Sequence, residues 1–249
     1  MILSILDTGT TGLDVPREWP AEIVHQPALQ RQPLTLDAKA LHRQLQRPHH
    51  LLFYSQYAID QVVEQDLIRR PQDHHFWAVG PLSAQHLRAC FDVSVNLPDD
   101  AHFQALKQAI RTQGPPLPLM AFGLQNHVRD LSALATSWGV DWQSHAIYRS
   151  EPVPSQRFSD LFSRRSFDWI AFTSSRGVQS VVDAIGPAAL KGPSMTPGPR
   201  LAAIGPSTAS ALASHGLTVD LIPDDTGRLA LLRAIIDHHT LSLDKDLDL

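Results

Sequence analysis

The chain has 249 residues, enough for one large or two modest domains. Hydrophobic residues make up 43% and charged residues 18%, which excludes a disordered chain and fits a globular one. A formal net charge of −4 excludes a nucleic-acid binder that works through bulk positive field, so an anionic partner needs a local site.

Ile2 to Leu6 reads as a buried strand. The apolar run ends at Asp7, too short for a signal peptide or a membrane span, and no later run is long enough. Gly9, Gly12, Pro16 and Pro20 argue against a long helix between Thr8 and Pro20. Glu22 to His25 is a second strand, and Pro27 to Pro33 an extended polar linker. Asp37 to Gln46 has helical spacing, with Leu41 and Leu45 on one side. Strands follow near residues 51, 76 and 93, then an amphipathic helix from Ala101 to Thr112. Cys90 is the single cysteine, which excludes an intrachain disulfide and suits the cytoplasm. Leu117 to Phe122 and Trp142 to Tyr148 read as strands, with a helix between them over Val128 to Trp138 that stops at Gly139. Arg149 to Pro154 is a second extended linker, and Ser159 to Arg165 a short helix. Strands near 168, 201 and 218 follow, with Gly186 to Pro199 as a surface loop. A helix from Arg228 to His239 precedes an acidic tail, Asp244 to Leu249, that is expected to fray.

Two stretches are written twice. Leu51-Leu52-Phe53-Tyr54-Ser55 aligns with Ile170-Ala171-Phe172-Thr173-Ser174 at an offset of 119. Trp77-Ala78-Val79-Gly80-Pro81-Leu82-Ser83 aligns with Ala202-Ala203-Ile204-Gly205-Pro206-Ser207-Thr208 at an offset of 125 from Ser83 to Thr208. A repeat of this length marks a duplicated domain rather than a solenoid. Each copy is a short apolar run, a polar turn and a helix start. That is the ligand-facing corner of a parallel α/β sheet, where helix N–H groups favour anions. In the second copy Ser207 or Thr208 is expected to cap the helix that follows Pro206. Seven strands precede residue 150 and three follow it. Two equal domains therefore need the first two strands in the C-terminal half, with the chain crossing at both linkers.

The motifs FTSSRGV (172–178), AAIGPSTASALASHGL (202–217) and AIYRSEPVP (146–154) resemble the uroporphyrinogen-III synthase family. FYSQYAID (53–60), AVGPLSAQHL (78–87) and MAFGLQNHVRDL (120–131) extend the resemblance over the whole chain. It implies two flavodoxin-like, parallel-sheet α/β domains. Residues 1–28 with 153–249 form one, residues 33–147 the other, and 29–32 and 148–152 are the extended linkers. It also implies a hinge between the domains and an active site in their cleft. The chain departs from the family at Asp7-Thr8-Gly9, where a basic residue is usual, at Ser83, where threonine is common, and at Tyr57, where its own second copy carries Arg176.

The implied reaction is a cyclising dehydration that needs no cofactor and no metal. Hydroxymethylbilane, a linear tetrapyrrole with eight carboxylates, loses its hydroxyl as water to give an azafulvene. Ring D attacks through its substituted carbon, and the spiro intermediate fragments and recloses with that ring inverted. Tyr148 matches the family tyrosine beside the second linker and is the expected proton donor to the departing hydroxyl. Ser55, Gly80, Ser83, Arg129, Ser174, Arg176, Gly205, Ser207 and Thr208 are the expected carboxylate contacts, as hydroxyls, backbone N–H groups or guanidinium forks. The resemblance further implies a cytoplasmic monomer with no nucleic-acid or membrane partner, in transient contact with hydroxymethylbilane synthase. The same residues admit a structural reading: serine and threonine caps, a half-buried strand tyrosine, solvated arginines. The rival function is a non-catalytic hinge protein that binds a tetrapyrrole or another anion on the same scaffold. The 13 histidines show no HExxH or zinc spacing, and the Gly205-Pro206 turn lacks a Walker lysine.

Overall fold

Leu3–Asp7 (β1) has Ile5 and Leu6 wholly buried, because a parallel strand is covered on both faces. In the computed structural model, residues 2–99, 103–125, 131–192, 198–225 and 227–247 are described, with the backbone alone for 103 and 242–247. Ala21–His25 (β2) pairs in parallel with β1, and Leu29–Pro33 (β3) follows. Ala38–Gln44 (α1) starts at Asp37, whose side chain accepts from the Ala40 N–H. His50–Phe53 (β4), Gln56–Glu64 (α2), His75–Ala78 (β5), Pro81–Phe91 (α3) and Val95–Asn96 (β6) continue the chain. Phe103–Gln113 (α4), Leu119–Leu124 (β7), Ser132–Trp138 (α5) and Trp142–Pro152 (β8) come next. Then follow Gln156–Arg164 (α6), Trp169–Phe172 (β9), Ser175–Lys191 (α7), Arg200–Ala203 (β10), Pro206–Ser214 (α8) and Arg228–Leu247 (α9).

The chain divides into two compact units, Met1–Gln30 with Glu151–Leu249 and Arg31–Ser150. The first holds a parallel sheet of order β10-β9-β1-β2. The second holds a six-stranded sheet of order β3-β8-β7-β4-β5-β6, parallel from β8 to β6. Side chains alternate across each sheet and feed a core on either face. In the second unit Leu51 and Phe53 join one cluster, and Leu52 with Trp77 the other. In the first unit Ile170 and Phe172 face one cluster, while Trp169 and Ala171 pack with Leu231 and Ile235 of α9. Each fully buried Phe or Leu contributes roughly 1.5–3 kcal/mol. Helices on both faces of a mostly parallel sheet make both units doubly wound α/β folds.

Four local expectations change. The stretch from Pro27 is more than a linker: Leu34 N donates to Ile147 O and Val153 N to Ala28 O, so β3 runs antiparallel to β8 and is paired. Leu217 to Ile222 is no strand but a single parallel bridge between Ala202 and Leu221. The Asp220 carboxylate accepts from Leu201 N (2.7 Å), taking a donor that a ladder carbonyl would use. The expected loop after Gly186 opens with helix. Gly186 breaks α7 at φ 76°, Pro187 starts a new turn, and Leu190 buries to hold it. Residues 193–197 lie outside the described residues. Helix α9 runs on to Leu247, into the acidic tail, since no glycine or proline interrupts it after Arg228; residues 248 and 249 lie outside the described residues.

Candidate active site

Parallel strands share one carboxyl edge, and the repeated turns leave from it. Ser55 follows β4 and caps α2: its Oγ accepts from the Ala58 N–H at 3.2 Å, with extended φ,ψ of −159°, 153°. Ser174 follows β9 and caps α7 in the same way, accepting from Gly177 N at 3.0 Å with φ,ψ of −166°, 153°. Gly80 and Gly205 are the N-caps of α3 and α8, each followed by proline in the first turn. The capping expected of Ser207 or Thr208 is therefore not found. The cap is Gly205, without a side-chain bond, and both hydroxyls lie within the first turn. Ser207 is exposed, Thr208 is buried and Ser83 is half-buried.

The two turns of each copy are tied by matching bonds. Ser175 Oγ donates to Ser207 O at 2.9 Å. Gln56 Nε2 donates to Leu82 O at 3.3 Å. These are corresponding positions, since Gln56 aligns with Ser175 and Leu82 with Ser207. In each unit the side chain after the serine cap fixes the first turn of the neighbouring helix.

Tyr148 reaches the Ser55 corner through an irregularity in β8. Gly123 pairs with Ala146 but Leu124 pairs with Tyr148, so Ile147 is an extra residue. Regular alternation would send Ile147 and Tyr148 to opposite faces; the bulge turns both into the same core cluster. Tyr148 is 8% exposed, and its hydroxyl lies 3.1 Å from Ser55 Oγ. The Tyr57 ring stands edge-on to it, with centroids 4.9 Å apart and planes at 82°. Burial, then Glu64, pushes the Tyr57 phenol above its ordinary value, so it stays protonated. The Arg31 guanidinium lies 5.1 Å from the centroid of the Tyr57 ring.

The first unit adds a different corner at β1. Asp7 is 1% exposed and paired with Arg228 at the start of α9, whose Nε lies 2.9 Å from both carboxylate oxygens. Gly9 N donates to Asp7 Oδ1, and Thr8 Oγ1 donates to Ala171 O. Arg176 is exposed on α7, and Arg129 lies outside the described residues. A separate cavity of about 430 Å3 opens at the opposite, amino ends of β4 and β7, between Arg47, His49 and Asp141, away from Ser55 and Tyr148. Among the described residues no group of three or more His, Cys, Asp or Glu is arranged to hold a metal ion.

The model of the family described as uroporphyrinogen-III synthase HemD matches residues 17–233, most of the chain. The chain belongs to the uroporphyrinogen-III synthase family. That family's enzymes are cyclising lyases of tetrapyrrole synthesis. Two solved synthases share the fold. A mutant uroporphyrinogen III synthase from the extreme thermophile Thermus thermophilus matches with a TM-score of 0.55 and 17% identity, over 98% of this chain and 99% of that one. Uroporphyrinogen-III synthetase from Helicobacter pylori 26695 matches with 0.63 and 13%, over 95% and 99%. No match was found among curated proteins.

Within this synthase-family frame the structure brings Ser55 and Tyr148 together in one unit, and the caps Ser174 and Gly205 near each other in the other unit through Ser175 and Ser207. Sequence reasoning missed Arg31, Gln56 and the Asp7–Arg228 pair. The offset of 119 already set Gln56 beside Ser175 and Tyr57 beside Arg176. No sequence spacing signals a bond between Asp7 and a residue 221 positions away.

Proposed function

We propose that this synthase-family member converts hydroxymethylbilane to uroporphyrinogen III, with Tyr148 assisting the loss of water. The observation that carries the reading is the Ser55–Tyr148 hydroxyl pair at the carboxyl edge of the sheet. Ser55 Oγ already accepts the Ala58 N–H, so its own proton is available for the Tyr148 oxygen. Polarised in that sense, the phenol proton points onward to the departing hydroxyl. The hydroxyl leaves as water, the azafulvene forms, and ring D attacks through its substituted carbon before the ring inverts. The protein's larger task is to hold a flexible chain in the folded conformer that favours inversion.

The carboxylates need seats rather than a bulk field. The first turns of α2, α3, α7 and α8 offer N–H groups without intrahelical partners. Ser55, Ser83, Ser174, Ser207 and Thr208 add hydroxyls, Gly80 and Gly205 give close backbone approach, and Arg129 and Arg176 add charge. Residues 1–28 with 153–249 and residues 33–147 serve as the two domains, with 29–32 and 148–152 between them. The matched cross-turn bonds in the two units support equivalent roles for their corners. The enzyme acts as a cytoplasmic monomer. It takes its labile substrate from hydroxymethylbilane synthase by transient contact, since free substrate closes without inversion.

Tyr148→Phe tests the assignment. Isomer III should form at least tenfold more slowly, the low end of what a positioned general acid contributes being about a hundredfold and water being a partial substitute. The fraction of isomer I should rise as substrate escapes to spontaneous closure. An unchanged rate and isomer ratio would remove Tyr148 from the chemistry.

A further inference from the structure

We propose that Arg31 is a substrate-carboxylate contact of the second unit and that Tyr57 is the positioning residue that holds it; this rests on the tetrapyrrole reading above. The two units carry the same corner, with matching serine caps and matching cross-turn bonds. They differ two residues after the cap. Helix α7 carries a cation there, Arg176, and α2 carries Tyr57. Arg129, the other cation proposed for the second unit, follows β7 in the sequence rather than the serine cap, so α2 itself brings no cation to its corner.

Arg31 supplies it from another element. It leaves β3 and lies over the Tyr57 ring at 5.1 Å, and that ring touches Tyr148. The aromatic face favours the guanidinium electrostatically and leaves its N–H edges available. Four arginines elsewhere in the fold are ion-paired within the protein: Arg47 with Asp141, Arg165 with Glu22, Arg228 with Asp7 and Arg233 with Asp237. Among the described residues no carboxylate lies within ion-pairing distance of Arg31. The carboxylates nearest Tyr57 are engaged elsewhere, Asp60 with His86 at 2.5 Å and Glu64 with Gln61 Nε2 at 2.6 Å. A half-buried guanidinium, oriented on a ring and lacking a carboxylate of its own, suits a propionate or acetate side chain of the substrate.

The test uses the full chain and two readouts. One is steady-state formation of isomer III from hydroxymethylbilane. The other is quenching of tryptophan fluorescence by uroporphyrin, a stable octacarboxylate. Arg31→Gln should raise KM and weaken uroporphyrin binding roughly ten- to a hundredfold, as expected for losing one charged hydrogen-bonded contact, with kcat much less affected. Arg31→Lys should fall between, because it keeps the charge and loses the fork. Tyr57→Phe, which keeps the ring, should raise KM less than Tyr57→Ala, which releases Arg31. Moving the cation, in Arg31→Gln/Tyr57→Arg, should restore much of the lost affinity. A folded Arg31→Gln protein with unchanged KM and unchanged uroporphyrin binding would overturn the proposal. If the wild type makes no isomer III, the reading of function fails instead, and the uroporphyrin titration still decides whether Arg31 holds a carboxylate.

Discussion

The hydroxyls of Ser55 and Tyr148 stand 3.1 Å apart, although 93 residues separate them in the chain. Ser55 is held by its capping bond and Tyr148 by the bulge in β8, so two rigid elements fix the pair. The two side chains should therefore act as one unit. Ser55→Ala should slow isomer III formation less than Tyr148→Phe does. The double variant should be no slower than Tyr148→Phe by more than about twofold, because contacting residues are not additive. Rates that multiply in the double variant would show two independent roles.

Ser174 makes a simpler prediction. Its Oγ accepts from Gly177 N, one of the first-turn donors that a helix cannot pair internally. Ser174→Ala should destabilise the protein by about 1 kcal/mol, and Ser174→Asp should retain most of the cap. Urea unfolding followed by circular dichroism checks both. Equal midpoints for all three proteins would mean that the bond contributes nothing.

Four histidines crowd the amino ends of β4 and β5. His50 and His75 are paired across the strands with rings 5.3 Å apart, and His49 and His74 are 6.0 Å apart. Trp77 Nε1 can only donate, and it donates to His50 Nδ1 at 2.9 Å. His50 Nε2 must then carry the proton that binds Pro115 O, and the ring is neutral. His74 is 8% exposed with neither ring nitrogen hydrogen-bonded among the described residues, and burial pushes it down to about 4. Burial also lowers His49 and His50. The facing charges are few: Asp73 favours protonation of His74, Asp141 favours and Arg47 opposes that of His49.

The sign follows from linkage. Above the ordinary value of 6.5 the rings of His49, His50 and His74 are neutral whether the chain is folded or not. As pH falls through that value the unfolded chain takes up protons that the folded chain refuses, so stability falls. For His74 the loss continues until pH reaches about 4. Each such ring adds up to about 1.4 kcal/mol per pH unit to the slope. The urea midpoint should be clearly lower at about pH 5 than at about pH 7.5, and His74→Leu should flatten the dependence. A midpoint that does not change between those conditions would contradict the buried neutral rings.

Asp7 and Arg228 join the end of β1 to the start of α9, 1% and 14% exposed. Removing one partner strands the other charge in a buried place, which costs about 3–5 kcal/mol. Asp7→Ala should show a loss of that order in urea unfolding. Gly9→Ala should follow it in part, because a Cβ there would run into the Arg228 guanidinium and push it off Asp7. Wild-type stability in Gly9→Ala would show that Arg228 has room to move.

The repeat made much of this legible. Apolar runs such as Leu51 to Phe53 and Trp169 to Phe172 announce buried parallel strands, and the serine and Gly-Pro turns behind them announce helix starts. Ser55 and Ser174 could be paired by offset alone, and they share their backbone geometry. What stayed hidden depends on single-residue detail. The extra residue Ile147, which turns Tyr148 to Ser55, leaves no mark in a pattern of period two. Asp220, which displaces a ladder bond, sits in a sequence that otherwise reads as strand. Arg31 reaches Tyr57 from a segment whose polarity suggested only a linker.

One assay tests the central claim most directly. Freshly prepared hydroxymethylbilane is incubated with and without the purified chain, then the products are oxidised and the uroporphyrin isomers separated. The family membership and the Ser55–Tyr148 site predict that isomer III dominates with the protein and isomer I without it. Isomer I alone in both, with the protein folded, would contradict the synthase reading; tight uroporphyrin binding in that case would mark a tetrapyrrole-binding protein on the same scaffold.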